Sequence, residues 1–458
     1  MEDMKNGKRS SFSGKLGYVL AAAGASVGLG NIWRFPYLAA KYGGGIFLII
    51  YIVLALTFGY TMIVAETAIG RMTRKSPVGA FKSFGKKKWL SFGGWINAVI
   101  PVLIVPYYSV IGGWVIKYLV EYFRGNAKLL AEDGYFTDFI SNGVSTELCF
   151  VAFCAFTLII IFAGVQNGIE RVSKIMMPIL IVLSVIIAVY SVTRPGALAG
   201  VKYFLVPNVN NFSWMTVVSA MGQMFYSLSI AMGILITFGS YMKKDTAIED
   251  STRNVEIFDT GIAIMAGLMI ILAVFAFSGG DPDTLQAGPS LMFITIPKVF
   301  QNMGFGTVIG IVFFLLVLFA AVTSSIALTE SAVSTFEDEL GWGRKKATVL
   351  VGVIMLALGS LSSLGYGPLA GIKIIGMQFL DLFDFLTNSV MMPIAALLTS
   401  LFVSRVVGID KIEAEIIHGE SAFRRKKVFV VMIKYLCPVF AIIILLSSVA
   451  NALGWIKM

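Results

Sequence analysis

The sequence is poor in charge. Only 14% of its 458 residues are Asp, Glu, Lys or Arg, whereas soluble domains have about 25%. Hydrophobic residues make up 57% of the chain, more apolar surface than a water-soluble fold can bury, so the chain is predicted to lie in lipid. The net charge of +10 would suggest nucleic acid in a soluble protein. Here the positions of the charges explain it, and no nucleic-acid partner is predicted.

Reactive side chains are also scarce. The single histidine, His418, lies in a charged segment, which excludes a multi-histidine metal site and gives no support to histidine-based catalysis. The three cysteines form no CxxC pair and lie in apolar runs, where we interpret them as small buried hydrophobes. The polar N-terminus and the long first apolar run do not have the form of a cleavable signal peptide. We therefore expect no enzyme and no organic cofactor.

Long apolar runs dominate what is present. A membrane-spanning helix needs about 20 apolar residues, and eleven such runs can be read. They cover approximately residues 16–40, 44–70, 90–122, 146–166, 169–193, 214–241, 255–278, 305–335, 347–366, 375–404 and 428–453.

Lys and Arg mark one side of these spans. They collect before the first span and after the second, sixth, eighth and tenth, whereas the alternate loops are poor in them. The positive-inside rule then predicts a cytoplasmic N-terminus and an extracellular C-terminus in a multi-pass protein of the cell inner membrane. The predicted organisation is a cytoplasmic segment 1–15, spans one to five at 16–193, an extracellular loop 194–213, spans six to ten at 214–404, a cytoplasmic loop 405–427, and the last span with the C-terminus at 428–458.

Two spans are poor continuous helices. Residues 21–36 contain Gly24, Gly28 and Gly30, and residues 223–233 contain several serines and Gly233. Interrupted helices in matching positions of two halves indicate an inverted-repeat transporter with a site at mid-membrane, because irregular backbone at that depth must line a cavity or be buried. Close helix packing is the alternative reading of such glycines. Asn31 and Arg34, which follow them directly, argue against packing alone.

The same segments are suited to binding ions and a zwitterion. Unwinding frees carbonyls that can coordinate sodium, and the Thr323-Ser324-Ser325 run supplies hydroxyls, although bonds to carbonyls one turn earlier would also explain that run. Exposed N–H groups of Leu29 and Gly30 would attract a carboxylate, and the hydroxyl of Tyr108 would add a donor. Charged residues in the spans indicate function by default, although a static ion pair is compatible with the sequence. These are Arg34, Glu66, Asp259, Glu330, Asp381 and Asp384.

These segments resemble the neurotransmitter:sodium symporter family, in its bacterial leucine-transporter branch. The most specific match is GASVGLGNIWRFPY at 24–37, followed by KYGGG at 41–45. Further matches are Glu66-x-x-x-Gly70-Arg71, Pro106-Tyr107-Tyr108, Gly168-Ile-Glu-Arg171, residues 222–229, MFITIP at 292–297, Thr323-Ser324-Ser325, residues 336–339 and Asp381-x-x-Asp384-Phe385. The resemblance covers about residues 8 to 450. It implies an all-α membrane fold of eleven helices, with a five-plus-five inverted repeat and unwound first and sixth helices.

The resemblance also implies the site residues. A first sodium site would use the Ser26 carbonyl, Asn31, Ser227, Asp259 and the substrate carboxylate. A second would use the carbonyls of Gly24, Val27 and Ala320 with the hydroxyls of Thr323 and Ser324. Substrate contacts would come from Ser26, Leu29, Gly30, Ile104, Tyr108, Tyr226, Ser227, Ser229, Met232, Ser324 and Leu328. The outer gate would be Arg34 with Asp384 under Tyr226, and the inner gate Arg9 with Asp338, supported by Ser240 and Tyr241.

Three positions refine the expectation for the substrate and for chloride. Monoamine transporters of the family carry an aspartate where this chain has Gly28, so the substrate should bring its own carboxylate. Asp259 replaces the family's asparagine, and Ala263 stands at the chloride-site serine, so we expect no chloride requirement. The apolar pocket then favours sodium-coupled uptake of a hydrophobic or aromatic L-amino acid. The alternatives are symport of another zwitterion such as glycine, GABA or a betaine, a receptor without an inner gate, and a membrane enzyme.

Overall fold

The computed structural model describes residues 9–85, 87–278, 288–452 and 455. Residues 1–8 of the predicted N-terminal segment and most residues after 452 lie outside this description. Nine described helices are long and apolar enough to cross a membrane. They are α2 (Gly45–Thr73), α3 (Lys88–Phe123), α4 (Gly143–Phe162), α5 (Val165–Val192), α7 (Ile248–Ser278), α8 (Gly306–Leu340), α9 (Arg344–Leu364), α10 (Phe379–Val407) and α11 (Lys426–Asn451).

Two further spans are broken. The first consists of α1a (Lys15–Ser26) and α1b (Gly30–Lys41), which meet at 53°. The sixth consists of α6a (Trp214–Ser227) and α6b (Ile234–Tyr241), separated by six residues. Each half alone is too short to cross a membrane. Counting the first broken pair as one span gives ten candidate spans in the described residues. The predicted number of eleven requires that α6a and α6b also form one span, five spans after the first break.

Short helices connect the spans. They are Pro77–Lys82, Ala127–Leu130, Tyr135–Ser141, Ala197–Leu205, Leu291–Gln301 and Ile409–Ile417, with a 3₁₀ turn at Val209–Asn211. The helix Ala197–Leu205 lies in the stretch interpreted from sequence as a loop. Its buried residues Ala197, Gly200 and Phe204 pack toward α7, and a nine-residue element is too short for hydropathy to reveal as a span.

The broken spans lie at the centre of the bundle. α1a packs against α5, α7 and α8, and α6b packs against α2 and α8. The helices around them are more exposed: only 39% of the most apolar stretch of α4 and 33% of those of α5 and α11 are buried. These outer helices therefore face lipid, and the two irregular backbone segments are enclosed in protein, as their unpaired peptide groups require.

Candidate functional site

The break in α1 leaves two backbone N–H groups without a helical carbonyl partner, and side chains accept their hydrogen bonds. Val27 is extended (φ −76°, ψ 90°), and its N–H makes the last helical hydrogen bond of α1a, to the Ala23 carbonyl at 2.7 Å. The Gly28 N–H donates to Asn31 Oδ1 at 3.3 Å, and the Leu29 N–H donates to the Tyr108 hydroxyl at 3.3 Å. Side chains from α1b and α3 thus satisfy the groups that unwinding exposes.

The break in α6 is held in a conformation that L-residues rarely adopt. Ser229 and Ala231 have positive φ values of 53° and 58°, and Gly233 follows at 70°. Two bonds fix this segment: the Ala231 N–H donates to Glu66 Oε1 at 2.8 Å, and the Ser229 hydroxyl donates to the Ala25 carbonyl at 2.9 Å. Glu66 is fully buried, so its place in the molecule is to hold the broken backbone of α6.

A small cavity lies between the two breaks. Ten of the eleven predicted substrate residues line it. They are Ser26, Leu29, Gly30, Ile104, Tyr108, Tyr226, Ser229, Met232, Ser324 and Leu328. Ser227 is not among the lining residues, because its hydroxyl turns to Asp259 at 2.8 Å. The geometry therefore brings the predicted set together around one space, and their role in binding stays a prediction.

The glycines of α1 are required by close contacts at this cavity. A Cβ at Gly28 would lie 2.6 Å from Ser324 Oγ and 3.1 Å from the Tyr108 hydroxyl. A Cβ at Gly30 would lie 2.3 Å from the Tyr226 ring. Any side chain at either position must displace a residue that lines the cavity.

A polar cluster lies beside the cavity around Asp259, which is fully buried in α7. Asp259 Oδ1 accepts from Asn31 Nδ2 and from the Ser227 hydroxyl, both at 2.8 Å. The Tyr51 hydroxyl lies 2.9 Å from both Asp259 Oδ2 and Ser227 Oγ. Three of the predicted first-site sodium ligands therefore meet at one carboxylate; the fourth, Ser26, lines the cavity next to them.

The second predicted sodium site joins α1a to α8. The Ser324 hydroxyl lies 3.3 Å from the Gly24 carbonyl, 3.2 Å from that of Ala25 and 3.5 Å from that of Val27. Thr323 instead bonds to the carbonyls of Phe319 at 3.0 Å and Ala320 at 3.2 Å, which is the back-bonding that the sequence left open. The run thus combines both interpretations, since Ser324 reaches across to the break and Thr323 stays with its own helix.

The predicted inner gate is closed. Arg9 forms an ion pair with Asp338, and it donates to Ser240 Oγ at 3.1 Å and to Ser334 Oγ at 2.7 Å. Its guanidinium lies 5.1 Å from the centre of the Tyr241 ring. The Tyr241 hydroxyl continues the network to Glu330 on α8 at 2.7 Å, and Glu330 also pairs with Arg344 at 2.6 Å.

The two residues of the predicted outer gate, Arg34 and Asp384, do not form an ion pair in this structure. Among the described residues, Arg34 and Asp384 are not within 4.0 Å of each other as a salt bridge; both line a vestibule with about 1470 Å³ of empty space. The Arg34 guanidinium lies 5.4 Å from the centre of the Tyr226 ring, while Asp384 accepts from Tyr107 at 3.2 Å. Tyr226 lines both the vestibule and the cavity, so its ring separates the two.

Sequence reasoning missed two residues of the site. Tyr51 on α2 bonds to both Asp259 and Ser227, and Gln223 on α6a donates to the Gly30 carbonyl at 3.1 Å. The available signal for Tyr51 was a tyrosine inside a strongly apolar span, since a buried hydroxyl needs a polar partner. Gln223 lies within the matched segment 222–229, which gives no separate signal for its side chain.

The comparisons with known proteins agree with each other. The model of the sodium:neurotransmitter symporter family matches residues 9–133 and 129–455. An uncharacterized sodium-dependent transporter of Bacillus subtilis is 34% identical, with 97% of this chain and 99% of that protein covered. The human sodium- and chloride-dependent GABA transporter 2 is 27% identical, with 88% and 73% covered. The crystal structure of MhsT in complex with L-phenylalanine is similar at a TM-score of 0.86 and 35% identity, covering 96% of this chain and all of that one.

Proposed function

Because this chain belongs to the sodium:neurotransmitter symporter family, we propose that it carries a hydrophobic or aromatic L-amino acid into the cell together with sodium. The resemblance read from the sequence and the all-α, leucine-transporter-like fold are both confirmed, and the protein is a sodium-dependent membrane transporter rather than an enzyme. The observation that carries the proposal is the cavity between the two broken spans, which has peptide donors at one end and an apolar wall at the other.

The carboxylate of the substrate is assigned to the break in α1. The N–H groups at the start of α1b lie at the positive end of that half-helix and would attract an anion. The Tyr108 hydroxyl, which accepts from the Leu29 N–H, lies next to them. No acidic side chain lines the cavity within the described residues, so an amine without a carboxylate would lack a counter-charge there. An amino acid supplies both charges itself.

The side chain of the substrate is assigned to the opposite wall. Ile104, Met232 and Leu328 supply aliphatic surface, and the Tyr226 ring covers the space toward the vestibule. Burial of apolar surface there favours a large hydrophobic side chain, and the flexible thioether of Met232 adapts to rings of different size. The similar transporter MhsT binds L-phenylalanine, which supports the same class for this chain.

Sodium is assigned to the two polar clusters. Asp259 with Asn31 and Ser227 would bind the first ion next to the substrate carboxylate, and Ser324, Thr323 and the carbonyls of Gly24, Val27 and Ala320 would bind the second. Because both ion sites include atoms of the α1 break, binding of sodium and of substrate stabilises the same backbone arrangement, which couples them.

Uptake would follow from alternating access across the membrane. The structure combines a closed inner network at Arg9 with an outer vestibule that ends at the Tyr226 ring, so a solute from the outer side would reach the vestibule first. In the next step Arg34 and Asp384 would close over Tyr226 while the Arg9 network opens. The Lys and Arg distribution assigns the Arg9 side to the cytoplasm, and we place the protein in the cell inner membrane.

A panel of labelled amino acids tests the substrate class. With purified protein in a scintillation-proximity assay, we expect sodium-dependent binding of leucine, methionine, phenylalanine, tyrosine or tryptophan, and none when potassium replaces sodium. Counterflow of the bound amino acid in proteoliposomes should follow, which separates a transporter from a receptor. Preferred binding of glycine, GABA or a betaine would contradict the proposed class and favour the alternative zwitterion.

Met232→Phe provides the matched variant for this panel. A rigid ring in place of the thioether fills space on the apolar wall, so binding of tryptophan should weaken by about tenfold relative to leucine, the expected scale for overpacking by 1–3 kcal/mol. Equal losses for both amino acids would contradict an assignment of Met232 to the side-chain end.

Transport is expected to proceed without chloride. Asp259 places a fixed negative charge where Tyr51 and Ser227 converge, and the side chain at the family's chloride-site serine is the methyl group of the buried Ala263. Uptake in sodium gluconate should therefore stay within about twofold of uptake in sodium chloride, as expected for an ion with no coupling to the site. A gluconate rate that is a small fraction of the chloride rate would contradict this assignment.

A further inference from the structure

A third cavity has no part in the proposed transport site. This basal cavity has about 1900 Å³ of empty space. It is bounded by the segment at Arg9, by residues 163–167 around the start of α5, and by residues 341–346, which comprise the α8–α9 loop and the start of α9. It shares no lining residue with the cavity between the broken spans or with the vestibule. It lies on the same side of the bundle as the Arg9 network, because Arg9 and Arg344 belong to both.

The basal cavity is cationic. The described residues that line it include no acidic side chain and four basic ones, Arg9, Arg344, Lys345 and Lys346. Arg9 is paired with Asp338, and Arg344 is paired with Glu330 and also lies 3.9 Å from Glu337. Lys345 and Lys346 are exposed, and neither forms an ion pair within 4.0 Å in the described part of the chain. Within the described residues, these two lysines of the cavity lining therefore have no ion-pair partner.

The placement of these lysines works against the helix that carries them. α9 begins at Arg344, so three successive cations lie in its first turn, and no acidic residue balances them there. The N-terminus of a helix already carries positive partial charge, so cations in this position repel it. α5 also begins at this cavity, at Val165. An anion bound between the two helix starts would satisfy both ends and both lysines.

Lipid-facing surface continues from the cavity. Phe162 and Trp342 line it and are 46% and 40% exposed. α4 and α9 pack against each other, and their outward faces carry Ile159, Val349 and Val353, each more than half exposed. Aromatic side chains next to lysines are typical of the level of lipid headgroups, and basic pockets between spanning helices bind anionic headgroups.

We propose that the basal cavity binds the phosphate-bearing headgroup of an anionic phospholipid, with Lys345 and Lys346 as its counter-charges and the acyl chains along the exposed faces of α4 and α9. A headgroup in this position contacts the α8–α9 loop and the start of α5 together. It would therefore tie together two of the elements that surround the closed inner network.

The test uses the full chain, purified in detergent, and native mass spectrometry with phosphatidylglycerol and phosphatidylcholine as probes. The Lys345→Gln/Lys346→Gln double variant removes the two free charges of the cavity. Lys87→Gln/Lys88→Gln is the matched control, because it removes two exposed lysines at the start of α3 that do not line the cavity. Inorganic phosphate and glycerophosphoglycerol are added as competitors without acyl chains.

The expected result is one phosphatidylglycerol held more tightly than phosphatidylcholine by the wild type. Affinity for it should fall about thirtyfold in Lys345→Gln/Lys346→Gln, at roughly 1 kcal/mol for each lysine, and stay unchanged in the control. Equal losses in both double variants would overturn the site in favour of general surface charge. No loss in either would overturn the assignment of Lys345 and Lys346 as counter-charges. Displacement of the lipid by millimolar inorganic phosphate would overturn the lipid assignment in favour of a soluble phosphate. None of these outcomes depends on which amino acid is carried.

Discussion

Sodium-dependent amino-acid uptake by Asp259→Ala is expected to fall by roughly 100-fold or more. The carboxylate is fully buried and accepts from Asn31, Ser227 and Tyr51, at 2.8–2.9 Å. Removing one charged member of a buried polar network costs on the order of 3–5 kcal/mol, which corresponds to a factor of roughly 150 to several thousand in affinity. The measurement is initial uptake in proteoliposomes as a function of sodium concentration, with binding of the amino acid in parallel.

Two variants keep this experiment decisive. Asp259→Asn preserves the shape but removes the charge, so it should bind substrate only at much higher sodium if the carboxylate is an ion ligand. Asp245→Ala makes the same change at an exposed loop position and should transport like the wild type. Full uptake by Asp259→Ala would contradict the first sodium site. A reduced amount of folded protein in Asp259→Ala alone, with a normal sodium response in Asp259→Asn, would assign Asp259 a purely structural role.

Gly28→Asp is expected to abolish amino-acid transport. The Cβ alone would lie 2.6 Å from Ser324 Oγ and 3.1 Å from the Tyr108 hydroxyl. The added carboxylate would then occupy the region assigned to the carboxylate of the substrate, and like charges there repel strongly. We expect a loss of roughly 100-fold or more in affinity for the amino acid, the scale of about 3 kcal/mol, measured as displacement of a labelled substrate.

The matched variants separate charge from volume. Gly28→Ala adds the Cβ without charge and should lose about tenfold, the scale of overpacking. Gly261→Ala, where an added methyl meets nothing within 4 Å, should be neutral. The decarboxylated amine of the best substrate should compete better in Gly28→Asp than in the wild type. Retention of amino-acid binding by Gly28→Asp would contradict the placement of the substrate carboxylate.

The eleven spans could be read from the sequence because each is a long apolar run, and the described helices agree with the predicted runs within a few residues at most ends. The breaks in α1 and α6 were also predictable in position. Gly28 and Gly30 interrupt the first span, and Ser227 and Ser229 interrupt the sixth, so the segments stand out at membrane depth. The helix Ala197–Leu205 did not stand out, because nine residues form no run of spanning length.

Contacts between distant residues could not be derived from composition or spacing. Tyr51 and Asp259 are 208 positions apart in the chain, and only the packing of α2 against α7 brings their side chains together. The state of the gates is likewise a property of one conformation. Arg9 and Asp338 are joined, whereas Arg34 and Asp384 are not, although the same reasoning paired both sets. Ten of the eleven predicted substrate residues line the cavity and Ser227 does not. This difference also depends on side-chain rotamers, which cannot be read from a sequence.

The six residues between α6a and α6b also store backbone strain. Ser229 and Ala231 keep left-handed backbone conformations, each of which costs on the order of 1–3 kcal/mol for a residue with a side chain. Reversing a two-state population from 1:99 to 99:1 takes about 5.5 kcal/mol. The backbone strain in this one segment is therefore a sizeable fraction of the free energy needed to shift the transporter between its outward-facing and inward-facing states. A ligand that stabilises the strained backbone and a ligand that allows it to relax would shift the population of the two states in opposite directions.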